Sequence, residues 1–201
     1  LEKEIQLLSR SGDIPVFFDM CIQLMKKYIP NIVVVTPENI REFVPNFPIK
    51  MHHASHIPLR KRVDLLFTFL LEKYGGICIS PGSVIYNSSM IQSLINKIYT
   101  DEIVTVGTSP RVLQSTTSKM FPNTYIIGAK KNSQFIKKYK KRFVKSFERR
   151  EVQHSYDILS KLLRKENPTH FHISSEYDGS RNTSLRLLTL DDYLGRFPVD
   201  Y

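Results

Sequence analysis

The 201-residue sequence has no tryptophan and only two cysteines, Cys21 and Cys78. Two distant cysteines make neither a disulfide framework nor a zinc-ligand pattern, so a stapled miniprotein and a zinc module are excluded. No apolar run approaches the ~20 residues that span a bilayer. The opening "LEKEIQLLSR" is too charged for a secretory leader. These absences make a reducing, cytoplasmic setting the expectation. No repeat, low-complexity tract or obvious linker divides the chain. A single domain over residues 1–201 is therefore expected, either alone or within a longer protein. One absence is local: no acidic residue stands between Glu72 and Asp101. No Asp-x-Asp occurs anywhere in the chain.

What is present is a full complement of core residues, 41% hydrophobic, and a net charge of +10. That charge is concentrated. Residues 130–150, "KKNSQFIKKYKKRFVKSFERR", carry ten basic residues and one acid, and the rest of the chain is close to neutral. Basicity therefore belongs to one segment. Ile136, Tyr139, Phe143 and Phe147 share one face of a helix there, and Lys and Arg fill the others. The plain reading is a solvated helix. The sharper ones are a surface for an anionic membrane, for an anionic acceptor glycan or for nucleic acid. No recognisable nucleic-acid module accompanies it, which ranks nucleic acid last.

Strand and helix patterns alternate along the chain. Ile5–Ser9 is a short apolar run before the breaker "RSGD" and reads as a first strand. "PVFFDMCIQLMKKY" has helical spacing, with Pro15 at its start and Lys26 and Lys27 at its end. Ile32–Val35 is continuous and β-branched, as buried parallel strands are. Val63, Leu66, Phe67 and Leu70 predict an amphipathic helix that Gly75-Gly76 ends. "ICIS", "EIVTVGT", "TYIIGA" and "FHIS" read as strands. Helices are expected from Ser89, from Asn132 and around Tyr156 to Arg164. The alternation predicts an α/β domain with a mostly parallel central sheet flanked by helices. Ligands in such folds sit at the carboxyl ends of strands. Ser80-Pro81-Gly82 and Ser9-Arg10-Ser11-Gly12 both fall at such ends.

From Asp64 to Val84, "DLLFTFLLEKYGGICISPGSV", the sequence resembles the sugar-binding region of glycosyltransferases with a DXD motif. That group includes initiating mannosyltransferases, capsular polysaccharide synthesis proteins and relatives in large DNA viruses. The glucosylating clostridial toxins are more distant members. Asp64 falls on the family's Asp, Leu71 on its Leu, and Gly75-Gly76 on its Gly-Gly. Ser80 and Gly82 fall on the two metal-site acids, and Phe67 stands where the family has Arg. The resemblance implies a GT-A-like fold, a nucleoside-diphosphate-sugar donor such as a UDP- or GDP-sugar, a glycan or glycoprotein acceptor, and transfer with retention. It implies donor sugar near Asp64, diphosphate near Ser80, Pro81, Gly82 and Ser83, and nucleotide near Ser9, Arg10 and Ser11. The departures from the motif leave a second reading open. In it the chain is a catalytically inactive binding module of the same fold, with the basic helix as its working surface.

Each candidate has a plainer alternative. Arg60 and Asp64 are i, i+4 on one helix, which suits a simple surface ion pair. The carboxylate also suits sugar hydroxyls, or a developing positive charge. Arg60, Lys61 and Arg62 oppose the helix dipole, either as a solvated charge run or as the cations that offset a diphosphate. Ser80 to Ser83 is a tight turn, or a set of hydroxyl and amide donors for phosphate. A divalent cofactor, Mn2+ or Mg2+, would draw on Glu176 and Asp178 with His172 nearby, although "EYDGSRN" also reads as a polar turn.

Overall fold

The computed structural model describes residues 16–29, 31–36, 38–48, 59–85, 89–108, 121–149, 155–166, 171–174 and 185–187. The expected first strand, Ile5–Ser9, lies outside them. In chain order the elements are α1 (Val16–Tyr28), α2 (Ile40–Phe43), α3 (Leu59–Tyr74), β1 (Gly76–Ile79), β2 (Ser83–Ile85), α4 (Ser89–Ile98), β3 (Ile103–Thr108), β4 (Phe121–Ala129), α5 (Gln134–Glu148), α6 (Ser155–Glu166), β5 (Phe171–Ser174) and β6 (Leu185–Leu187).

Four strands form one sheet in the order β1-β4-β3-β5. β4 runs antiparallel to both β1 and β3, and only β3 and β5 pair in parallel. β2 and β6 make a separate antiparallel ribbon. The class is thus mixed α/β, and the mostly parallel sheet expected from the alternation is corrected. The physical reason lies between Thr108 and Phe121. A parallel neighbour needs a crossover, normally a helix. β3 and β4 are consecutive in the chain and pair directly as antiparallel neighbours. A second correction concerns residues 32–36, which carry no strand pairing among the described residues. The β-branched run still packs: Ile32 and Val34 meet one core cluster and Val35 the other.

The sheet separates those two clusters. Along β3, Ile103 faces one cluster, while Val104 and Val106 face the other. Along β4, Ile126 and Ile127 divide in the same way. This is strand periodicity with both faces buried. On one side lie α3, α5 and α6, with Leu65, Leu66, Leu71, Phe143 and Leu159. On the other lie α1 and α4, with Cys21, Met25, Ile91 and Leu94. The central sheet is therefore flanked by helices, as expected.

The turn from α3 into β1 needs glycine. Gly75 and Gly76 adopt φ +70° and +87°. A Cβ on Gly75 would lie 2.5 Å from the Lys131 backbone nitrogen, and one on Gly76 would meet nothing within 4 Å. Only the first is also a close approach. It lets the segment after β4 pass against the end of α3, where the Asn132 N–H donates to the Glu72 carbonyl at 3.0 Å.

Candidate functional site

β4 carries an irregularity that places the site. In its pairing with β3, Thr105 opposes Ile127, but Val106 opposes Asn123. Thr124, Tyr125 and Ile126 therefore bulge out of that ladder. Bulges of this kind re-aim side chains and are common beside active sites. The local chain is held in place: the Asn123 side-chain oxygen accepts from the Tyr125 N–H at 2.8 Å. The Thr105 hydroxyl donates to the Ile126 carbonyl at 3.0 Å. On the opposite edge, the Ser80 N–H donates to the Tyr125 carbonyl at 2.8 Å. The bulge thus sits where β1 ends and the Ser80 turn begins.

The first turn of α3 meets this bulge. Arg60 lies over the Tyr125 ring, its guanidinium carbon 3.8 Å from the centroid. Arg60 Nη2 donates to Thr124 Oγ1 at 3.0 Å, and the Thr124 hydroxyl donates to Asp64 Oδ2 at 2.9 Å. Arg60 also pairs with Asp64, Nη2 to Oδ1 at 2.9 Å and Nε to Oδ2 at 3.3 Å. The pair expected at i, i+4 forms, but not at the surface: Asp64 is 2% exposed. Its partner keeps one open flank, since the Arg60 side chain is 30% exposed.

Burial pushes the Asp64 carboxyl up from its ordinary value; the Arg60 guanidinium and the Ser155 and Thr124 hydroxyls oppose this only in part. Although Arg60 lies close to Oδ1, that oxygen receives no aligned hydrogen bond. Tyr139 lies nearby, its hydroxyl donating to the Ser155 carbonyl at 3.3 Å. Burial, and then the Asp64 charge, hold its phenol well above the ordinary value. Asp64 therefore stands where α3, β4, α5 and α6 converge.

The turn after β1 is closed by the Ser83 N–H, which donates to the Ser80 carbonyl at 3.0 Å. Ser80, Gly82 and Ser83 are buried and Pro81 is half-buried. The Ser83 hydroxyl is fully buried and has no hydrogen-bond partner. Lys61 and Arg62 are not a solvated run. They are 9% and 4% exposed, and Lys61 Nζ lies 5.0 Å from the centre of the Phe147 ring.

The structure thus brings Arg60, Asp64 and Ser80 together around Thr124 and Tyr125. Ser9, Arg10 and Ser11 lie outside the described residues, as do Glu176 and Asp178. His172 lies in β5, at the position that pairs with Val104. Among the described residues no three His, Cys, Asp or Glu side chains gather into a cation site. Around the Ser80 turn they offer hydroxyls and one carboxylate already committed to Arg60, a donor set that does not by itself fit a divalent cation. Sequence reading missed Thr124, Tyr125 and Ser155. A signal was present in Pro122 and Asn123: proline inside a strand is confined to edges and bulges.

The pattern that defines the capsular polysaccharide synthesis protein family matches residues 12–185. The chain belongs to that family. No curated protein and no solved structure matches it. The family's span takes in α3, the Ser80 turn and the β4 bulge, and it leaves Ser9, Arg10 and Ser11 outside. Membership connects the chain with polysaccharide synthesis, in keeping with glycosyl transfer in general. No helix among the described residues is long and apolar enough to cross a membrane.

Proposed function

We propose that the chain is a glycosyltransferase that moves a sugar from a nucleoside-diphosphate donor, a UDP- or GDP-sugar, to a glycan or glycoprotein acceptor. The observation that carries this reading is Arg60. It is a cation held by Tyr125, Thr124 and Asp64, its side chain is still 30% exposed, and the Tyr125 it stacks on is hydrogen-bonded to the start of the Ser80 turn. A leaving diphosphate needs positive charge where its negative charge develops. By the motif resemblance Ser80 and Gly82 fall where metal-binding acids are expected, and in our reading Arg60 supplies that charge. Its position is consistent with this. Positions i−4 and i+3 lie on the same helix face as i, so Arg60 shares a stripe with Asp64 and with Phe67, which takes the place of the family's Arg.

In this scheme the bond from the anomeric carbon to the diphosphate oxygen breaks. A bond to the acceptor oxygen forms on the same face, with retention. The acceptor's proton passes to the departing diphosphate. Arg60 contacts the phosphate, and the turn lends the Gly82 amide and the Ser80 and Ser83 hydroxyls, since the Ser80 and Ser83 amides are already bonded. Asp64 acts through Arg60, as a positioning residue. The Ser9 to Ser11 segment is our candidate for the nucleotide contact.

Calorimetric titration with UDP- and GDP-sugars, with Mn2+ or with chelator, tests this. Arg60→Gln should weaken donor binding roughly 10- to 100-fold, the worth of a lost charge-assisted contact. Binding should survive chelation. Unchanged affinity in Arg60→Gln would remove Arg60 from the site. Loss of binding on chelation would assign the charge to a metal. If no nucleotide sugar bound at millimolar concentration in either condition, the non-catalytic module would be the better reading.

A further inference from the structure

The outer face of α5 has no role in the donor site and stands apart from it. Its inner face is fully used: Phe135, Ile136, Tyr139, Phe143 and Phe147 are buried. Two of its lysines are also engaged, Lys140 with Glu72 and Lys138 with Glu166. Lys137, Lys141 and Lys145 are different. They recur every four residues, a stripe ~12 Å long at helical rise, and their side chains have no hydrogen bond or ion pair among the described residues. Lys141 and Lys145 are exposed and Lys137 is half-buried. Beside the stripe, Glu166 lies among Lys138, Arg142 and Lys165, one acid against three cations. Like charges at i, i+4 weaken a helix. α5 tolerates them at Lys137 and Lys141, at Lys141 and Lys145, and at Lys138 and Arg142.

We propose that this face docks the protein onto an anionic membrane surface. Three features favour a lipid surface over a glycan or a nucleic acid. The stripe follows one i, i+4 row and stays within about a quarter turn of a convex helix surface, so its charges can face a plane together. It is made of lysines, compact point charges without the forked geometry that selects particular carboxylates or phosphates. Every aromatic residue of α5 is turned into the core, so the face has no platform for stacking a sugar or a base. Polybasic faces of this kind bind anionic leaflets by summed electrostatics.

Flotation of the 201-residue chain with vesicles of phosphatidylcholine containing about one third phosphatidylserine tests the proposal. Binding should be strong at about 0.1 M salt and lost at about 0.5 M. It should be absent on pure phosphatidylcholine. The triple variant Lys137→Gln/Lys141→Gln/Lys145→Gln should partition on the order of 100-fold more weakly. Its unfolding midpoint should change little, since relief of the like-charge pairs offsets the loss of Lys145 from the last turn beside Glu148. A control triple, Lys26→Gln/Lys27→Gln/Lys97→Gln, removes equal charge from exposed sites on α1 and α4. It should bind nearly as wild type does. The proposal is overturned if the α5 triple binds like wild type or if both triples lose binding equally. It also fails if heparin or duplex DNA outcompetes the vesicles at matched charge.

Discussion

Asp64 is the residue on which stability and the proposed chemistry meet. Its carboxylate is buried, while its cation is part-exposed. Burial therefore outweighs the attraction of Arg60, and the folded state holds the proton more tightly than the unfolded chain does. The group's contribution to stability is fully present below its ordinary value of 3.8 and is lost as pH rises through the higher folded value. Asp64→Asn is neutral at every pH. The stability of wild type relative to this variant should fall from about pH 3 toward neutrality, as read by urea unfolding at several pH values. A gap that widened with pH would mean that the ion pair dominates. Asp64→Ala leaves Thr124 and Arg60 without their acceptor and should cost about 1–3 kcal/mol more than the Asn variant.

Among the elements, the junction of α3 and β1 separates two glycines that look equivalent in sequence. Both have left-handed backbone, so alanine is strained at either. At Gly76 the added carbon enters open space, and the cost should be about 1 kcal/mol. At Gly75 it meets backbone of the segment after β4, and the cost should exceed that of Gly76→Ala by about 1–3 kcal/mol. Chemical unfolding of the two variants checks the order. Much at this scale was legible beforehand. Helical spacing located α1, α3, α4, α5 and α6, and the buried face of α5 is the one its aromatics predicted. The β4 bulge was marked only by Pro122 and Asn123 beside it, and its register was not legible. Its residues read as an ordinary strand, because the pairing register depends on a partner distant in sequence. The contact between Arg60 and Thr124 spans 64 positions.

For the molecule as a whole, the sheet contributes side chains to both core clusters, so neither helical layer can detach without exposing the strands the other covers. Leu159→Ala on one side and Leu94→Ala on the other should each cost about 2–5 kcal/mol. In each variant, near- and far-ultraviolet circular dichroism should report a single coincident unfolding transition. Two separated transitions would show that the layers fold independently.

The sequence by itself determined the five longer helices, most of the strands, the glycine turn and the asymmetry of charge. Each of these follows from local periodicity or from one residue's backbone freedom. Tertiary structure alone decided the strand directions, because pairing is non-local and the alternation of elements does not fix it. It also decided the state of Asp64. Spacing gave the pairing with Arg60 but not its burial, and burial decides which of the two can meet a ligand. The bulge in β4 and the packing of α5 and α6 cover the carboxylate and leave the Arg60 side chain part-exposed.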